Sequence, residues 1–170
     1  MAVVGGGNMA RSIISGAISG GILKADEIAV ADPDPICQDH FRNMGIESVS
    51  DAADLPESSQ VLLAVKPQIF KLVAKEVAAE IVISIMAGVS TQKISDSIIR
   101  GKVIRVMPNL PCSIGLGASG ISLGKYATTK DAQLATQLFR TIGTVVPVDE
   151  SLMDAVTAVS GSGPAYLFLL

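Results

Sequence analysis

MAVVGGGNMA, residues 1–10, joins a short apolar run to a glycine-rich turn and then to a helical pattern. Gly5, Gly7 and Ala10 fit the spacing G-x-G-x-x-A. In that motif the first glycine permits a tight turn, the second lets backbone approach a pyrophosphate, and the small third residue lets helix pack on strand. The free N–H groups at the helix start would then hold the anion. The spacing predicts a dinucleotide site formed by Gly5, Gly6, Gly7, Asn8, Met9 and Ala10; the alternative is a glycine turn that needs no ligand.

Short β-branched runs alternate with helical patterns along most of the chain. Strands are predicted at residues 1–4, 27–31, 61–64, 81–85, 103–107, 117–122 and 144–148, and helices at residues 9–19, 36–44, 69–79, 91–99 and 130–142. Such alternation is typical of βαβ units and a parallel sheet. We therefore expect an α/β fold with a Rossmann-type, doubly wound and mainly parallel sheet, in which the last two strands introduce mixed directions.

The composition excludes two classes of protein. The 170 residues are 49% hydrophobic and 17% charged, whereas intrinsic disorder requires low hydrophobicity and high net charge. The net charge of -3, the absence of Trp and the presence of only two Tyr provide neither a basic surface nor aromatic platforms for a nucleic acid. We therefore expect no nucleic-acid partner.

Neither a membrane segment nor a cysteine-based site is predicted. The longest nearly apolar stretch, residues 81–89, is far shorter than the roughly 20 residues that a spanning helix needs. The chain starts without the basic and apolar regions of a secretory signal. Cys37 and Cys112 lie far apart and outside any CxxC, which argues against a disulfide framework or a zinc site. We expect a reduced, cytoplasmic protein with no metal site and no membrane partner.

Asp32 is the candidate ribose ligand. It ends the second predicted strand, about twenty residues past the glycine motif, where a carboxylate can accept a hydrogen bond from the ribose 2′-hydroxyl. A free carboxylate there would repel a 2′-phosphate and so favours NAD over NADP. The alternative is an ordinary turn residue ahead of Pro33.

Two further strand ends supply candidate cofactor ligands. Ligands of open α/β sheets bind at the carboxyl edge, where strands give way to helices. We expect Pro67 to begin the next helix, since proline suits the first helical position, and Lys66 to offset negative charge on a ligand. Gly88 would allow close approach, and Ser90 could cap the helix that follows. The candidates at these junctions are Ala64, Val65, Lys66, Pro67, Ala87 and Gly88.

Polar and glycine-rich residues mark a second possible site. Asn109 follows the strand at residues 103–107, where its amide could bind a carboxylate or a carboxamide; a structural turn residue is the alternative. Ser160, Gly161 and Gly163 precede Pro164, which is expected to begin another helix. Such a helix start suits a small anion or a closely placed ring, although it could equally be a joint between helices.

Five blocks in the order found here resemble pyrroline-5-carboxylate reductases. They are residues 4–10 (VGGGNMA), 64–68 (AVKPQ), 87–90 (AGVS), 105–111 (RVMPNLP) and 160–166 (SGSGPAY). The last block is the most specific, because many dehydrogenases share the glycine motif. The resemblance extends over the entire chain. It implies reduction of 1-pyrroline-5-carboxylate to L-proline by NADPH or NADH, the last step of proline synthesis.

The resemblance also implies an architecture and residue roles. It implies a Rossmann domain followed by an all-helical domain that forms a homodimer or higher homo-oligomer. The glycine motif would hold the pyrophosphate, and residues 64–67 with 87–88 would line the nicotinamide side. The substrate would face Asn109, Ser160, Gly161 and Gly163. All of these are positioning roles, and no catalytic acid is assigned.

The chain departs from the family pattern in two respects. The family's helical domain continues for about a hundred residues beyond the glycine-rich block, whereas this chain ends at Leu170. We therefore expect a dinucleotide-binding domain at residues 1–149 and the beginning of the helical domain at residues 150–170, so activity of the isolated chain is open. Asp32 departs from the family's frequent preference for NADPH. A related β-hydroxyacid or imine reductase and a non-catalytic dinucleotide sensor are the alternatives.

Overall fold

The computed structural model describes residues 1–167. These residues fold into an eight-stranded sheet with helices on both faces. The strand order is β3-β2-β1-β4-β5-β6-β7-β8. The strands are β1 (Ala2–Val4), β2 (Ala29–Ala31), β3 (Glu47–Val49), β4 (Gln60–Leu63), β5 (Ala78–Ser84), β6 (Arg100–Met107), β7 (Gly117–Leu123) and β8 (Gly143–Pro147). The first six run parallel, β7 is antiparallel to β6, and β8 is parallel to β7. The Rossmann-type sheet with mixed directions at its end is thereby confirmed.

In the described part of the chain, seven α-helices connect or follow the strands. They are α1 (Asn8–Ser19), α2 (Pro35–Asn43), α3 (Phe70–Val73), α4 (Thr91–Ser95), α5 (Gln133–Arg140), α6 (Met153–Val156) and α7 (Gly163–Leu167). Pro164, predicted to begin a helix, lies at the second position of α7, and residues 168–170 lie outside the part that the structure describes. Within residues 1–167, no helix is both long enough and apolar enough to cross a membrane.

Alternate residues of the strands supply two separate cores. Val3 points into one, together with Ile13 of α1 and Phe41 of α2, all fully buried. Its neighbour Val4 points into the other, together with Phe70 of α3. Because successive side chains of a strand point to opposite faces, both faces of the sheet are covered. This explains why the strands read as continuous apolar runs rather than as alternating ones.

The predicted helix at residues 69–79 is wrong in its second half. α3 ends at Val73, a 3₁₀ turn occupies Ala74–Glu76, and β5 already begins at Ala78. The N–H groups of Glu80 and Ile81 both donate to Ser59 O at 3.0 Å, and the pairing register shifts there. Pairing with the neighbouring strands therefore overrides the local helical pattern.

Three smaller predictions also need correction. The predicted helices at residues 91–99 and 130–142 are shorter, as α4 and α5, because the chain turns into β6 and β8 soon after them. The edge strand β3 is missed altogether. It is three residues long, and its sequence Glu-Ser-Val lacks the apolar run that marks the other strands.

An ion pair at the start of β6 gives the fold a testable acid response. Hydrogen bonds from Lys102 and from the hydroxyl and backbone amide of Thr128 lower the pKa of Asp131 to about 2. Because this pKa lies below that of the unfolded chain, the stabilisation is complete above the ordinary value of 3.8 and is lost as the pH falls towards 2. An NMR titration of the Asp131 carboxyl carbon should therefore give a midpoint near 2, whereas a midpoint near 3.8 would contradict the pairing.

Candidate functional site

The carboxyl ends of five neighbouring strands bring predicted site residues to one edge of the sheet. Along the sheet, Asp32 follows β2, Gly5 follows β1 and Ala64 follows β4. Ala87 lies just past β5, and Asn109 just past β6. Ligands of open α/β sheets bind outside the carboxyl ends of the strands. The structure thus gathers these residues where such a ligand would lie.

The glycines of the first loop meet different requirements. Gly5 has φ +99°, and a Cβ there would lie 2.8 Å from the backbone carbonyl carbon and oxygen of Ala64. Gly7 has an ordinary φ of -67°, and a Cβ there would meet nothing within 4 Å. Gly5 is therefore required by the fold itself, whereas the missing side chain of Gly7 leaves open space in front of α1.

The start of α1 is not capped by any side chain. Gly7 occupies the N-cap position without a side-chain hydrogen bond, and the first backbone bond of the helix runs from Arg11 N to Gly7 O at 3.0 Å. The N–H groups of Asn8, Met9 and Ala10 precede that bond and have no partner inside the helix. Together with the helix dipole, they form a place suited to a phosphate group.

Asp32 already serves the glycine loop. Its Oδ2 accepts a hydrogen bond from Gly6 N at 2.7 Å, and its Oδ1 accepts one from Asp34 N at 2.9 Å. A Cβ at Gly6 would lie 2.8 Å from Cε2 of the buried Phe41, so the loop is held closely against α2. Each carboxylate oxygen can accept more than one hydrogen bond, so contact with a ribose stays a prediction beside this positioning role.

Arg11 is a site residue that lies outside the glycine motif and was not predicted. Its Nε donates to Gly6 O at 3.2 Å, and its Nη2 donates to Cys37 Sγ at 3.2 Å. No carboxylate within residues 1–167 forms an ion pair with this guanidinium. A positive charge without an acidic partner therefore lies beside the loop. The signal in the sequence is a basic residue directly after the motif's last position.

The junction after β4 differs from its prediction. Ala64 and Val65 are half-buried, while Lys66 and Pro67 are exposed. Pro67 does not begin a helix, because a turn closed by Ile69 N and Lys66 O at 2.9 Å comes first and α3 starts only at Phe70. The exposed pair therefore projects from a turn at the carboxyl edge.

The loop after β5, residues 87–90, is fixed from both sides. Gly88 has φ +66° and open space around its missing Cβ. Ser90 caps α4 as predicted, since its hydroxyl accepts from Lys93 N at 3.2 Å. The next amide, Thr91 N, donates to Glu150 Oε1 at 3.0 Å. No motif in the sequence points to Glu150, which lies 59 positions away from Thr91.

Asn109 and Ser160 are brought into contact. Asn109 Nδ2 donates to Ser160 Oγ at 3.2 Å, and Asn109 Oδ1 accepts from Ala118 N at 2.9 Å. A Cβ at Gly161 would lie 2.9 Å from Cε of Met107, the last residue of β6. Two candidates of the second site, Asn109 and Ser160, therefore lie together at the end of β6.

An irregular helical turn delivers Ser160 to this position. Residues Thr157–Gly161 form a π-helical turn in which Ser162 N donates to Thr157 O at 2.9 Å. Gly163 begins α7, and nothing lies within 4 Å of its missing Cβ. Single π turns inside helices are frequent at functional sites.

The residues present fit a dinucleotide better than a metal ion. The open space at Gly7, the uncapped start of α1 and the unpaired charge of Arg11 all suit a phosphate-bearing ligand. In the part of the chain that the structure describes, no group of three or more His, Cys, Asp or Glu is arranged to hold a metal ion. The fold and the glycine loop thus define a Rossmann-type dinucleotide-binding protein.

Comparison with known proteins narrows this class. The family described as NADP oxidoreductase coenzyme F420-dependent matches residues 1–88. The pyrroline-5-carboxylate reductase of Methanosarcina acetivorans is 41% identical over 173 aligned residues, which cover 97% of this chain and 64% of that protein. The chain belongs to the pyrroline-5-carboxylate reductase family, and it spans under two thirds of that relative's length.

Solved structures agree with this assignment. A pyrroline-5-carboxylate reductase from Coxiella burnetii superimposes with a TM-score of 0.90 at 33% identity, covering 99% of this chain and 66% of that one. A Plasmodium falciparum pyrroline carboxylate reductase with NADP bound gives a TM-score of 0.85 at 26% identity, covering 99% of this chain and 64% of that one.

Proposed function

We propose that this chain forms the dinucleotide-binding part of an enzyme that reduces 1-pyrroline-5-carboxylate to L-proline with NADPH or NADH. The observation that carries the proposal is the uncapped start of α1 behind Gly7, where a phosphate can approach backbone amides. Membership of the reductase family and the NADP bound to the Plasmodium relative support this reading.

The cofactor would lie along the carboxyl edge of the sheet. Gly5, Gly6 and Gly7, with the amides of Asn8, Met9 and Ala10, would hold its pyrophosphate, and Asp32 would lie near the adenosine ribose. The nicotinamide side would be lined by Ala64, Val65, Lys66, Pro67, Ala87 and Gly88. When bound, the reduced nicotinamide supplies the hydride.

The substrate side would be formed at the end of β6. Asn109 and Ser160, which share a hydrogen bond, present polar groups there. Gly161 lets the chain pack closely against Met107, and the open space at Gly163 leaves room for a ring. A cyclic imine accepts hydride more readily when its nitrogen is protonated, so the protein mainly has to hold the two reactants in contact. Orientation of this kind lowers a reaction barrier by several kcal/mol.

An absorbance assay with pyrroline-5-carboxylate tests the proposal. NADPH should bind to the full chain, and binding can be followed by fluorescence. Turnover should be seen once the C-terminal third of the Methanosarcina reductase is joined after residue 170. A folded fusion that binds NADPH but does not oxidise it would overturn the reductase assignment and favour a non-catalytic dinucleotide sensor.

Substitution of Asp32 tests cofactor choice. Asp32→Ser removes a negative charge beside the ribose position, so we expect the ratio of NADPH to NADH affinity to rise about tenfold, equivalent to 1.4 kcal/mol. Parallel fluorescence titrations measure this ratio. Asp34→Ser is the matched control, because that carboxylate caps α2 through Ile36 N. An unchanged affinity ratio in Asp32→Ser would show that Asp32 does not contact the ribose.

Three broader expectations, on domains, oligomeric state and location, remain part of the proposal. Residues 1–149 would form the dinucleotide-binding domain, and residues 150–170 would begin a helical domain through which the protein forms a homodimer or higher homo-oligomer. A cytoplasmic location is proposed from the composition and from cysteines that are both unpaired in the structure.

A further inference from the structure

Glu150 connects three separate elements of the fold. Its Oε1 accepts hydrogen bonds from Thr91 N and from Arg105 Nη1, both at 3.0 Å. Its Oε2 accepts from Ser122 Oγ at 2.7 Å. The residue lies just after β8, yet it contacts α4, β6 and β7. One carboxylate therefore fixes the start of α4 relative to two strands of the sheet.

The partner that holds Glu150 is a buried cation. Arg105 is 3% exposed and lies inside β6, and a second bond runs from its Nη2 to Asp154 Oδ1 at 3.2 Å. Its Nε has no hydrogen-bond partner within the described chain. Burial of a charge is costly unless that charge is paired. Since both partners belong to residues 150–154, the guanidinium favours the arrangement in which this segment lies across β6.

The same segment continues to the second site. From Glu150 the chain runs through α6 and the π turn to Ser160, whose hydroxyl meets Asn109 just beyond β6. The segment is thus attached near the end of β6 at two places, Arg105 and Asn109. Glu150, which forms the attachment at Arg105, also accepts a hydrogen bond from Thr91, the residue that follows loop 87–90.

We propose that Glu150, held by Arg105, is a positioning residue that fixes loop 87–90 at the cofactor site relative to the segment that carries Ser160. This inference rests on the proposed function, in which loop 87–90 lines the nicotinamide side. Loss of the Glu150 carboxylate would release the amide of Thr91 and leave Arg105 with the exposed Asp154 as its remaining acidic partner.

Amide hydrogen exchange without cofactor and NADPH titration by fluorescence together test the inference. In the full chain, Glu150→Ala should speed exchange of the Thr91 amide about tenfold, the change produced by loss of one hydrogen bond to a charged group. The Kd for NADPH should rise about threefold to tenfold in the same variant. Glu150→Gln keeps an oxygen for the Thr91 amide and should restore most of the protection.

Asp131→Asn is the matched control. It removes a carboxylate that pairs with Lys102, which lies in β6 like Arg105 but away from loop 87–90. Both measurements should therefore stay unchanged in this variant.

If Glu150→Ala does not fold, Glu150→Asp replaces it, because the shorter side chain cannot reach Thr91 and Arg105 together. Wild-type exchange and wild-type NADPH affinity in a folded Glu150 variant would overturn the inference. If the wild-type chain fails to bind NADPH, the proposed function fails, while the exchange data still decide the positioning.

Discussion

Arg105→Met should lower the free energy of unfolding by about 3 kcal/mol, measured by urea denaturation. The arginine is 3% exposed, and its Nη1 lies 3.0 Å from Glu150 Oε1. Methionine fills much of the same volume, so the loss comes chiefly from a partly buried carboxylate that is left without its cation. Breaking a buried ion pair by removing one partner costs about 3–5 kcal/mol. The lower figure applies because the Glu150 side chain is 30% exposed.

Two further variants separate this effect from general disruption. Asp154 is 83% exposed, so Asp154→Asn should cost less than about 1 kcal/mol, as surface ion pairs do. Combining Arg105→Met with Glu150→Gln should recover about 1 kcal/mol, because the unpaired carboxylate is then gone. An Arg105→Met chain within about 1 kcal/mol of wild type would show that the buried pair does not hold the segment.

The features that the sequence predicts best are those that the local backbone itself demands. A strand, a glycine turn and a helix start lie within ten residues, and the φ of +99° at Gly5 excludes most other residues there. Strand ends followed by turns or helices also fix which residues share the carboxyl edge. Asn109 and Ser160 could for this reason be selected as candidates, although their mutual hydrogen bond could not.

The features that the sequence does not predict depend on pairing between distant parts of the chain. Residues 77–79 carry a helical pattern, but the parallel neighbour β6 draws Ala78 into β5 opposite Arg100. The short strand β3 is paired with β2 despite its polar sequence. In both cases the sheet, rather than the local sequence, decides the conformation.

The contact between Arg105 and Glu150 illustrates the same limit in the candidate site. The two residues are 45 positions apart, and no local spacing relates them. One signal was present in the sequence, because an arginine within the apolar run at residues 103–107 requires an acidic partner if the strand is buried. The identity of that partner depends on how residues 150–161 cross the sheet, which only the structure gives.

Gly7→Ala should raise the Kd for NADPH about a hundredfold. This corresponds to a loss of about 2.8 kcal/mol of binding free energy, since each tenfold change corresponds to about 1.4 kcal/mol. A methyl group at this N-cap position would occupy the open space where backbone is expected to meet the pyrophosphate. Stability should change by less than about 1 kcal/mol, since φ is -67° and no atom lies within 4 Å of the new Cβ. Fluorescence titration and urea denaturation of the same preparation measure the two quantities.

Gly5→Ala gives the opposite pattern and is the matched comparison. Its Cβ would lie 2.8 Å from the Ala64 carbonyl, and its φ is +99°, so we expect a stability loss of at least about 2 kcal/mol. Affinity in that variant would fall only because the loop no longer folds correctly. A Gly7→Ala chain that binds NADPH as tightly as wild type would mean that no phosphate approaches this junction. The cofactor site would then have to be sought elsewhere along the sheet edge.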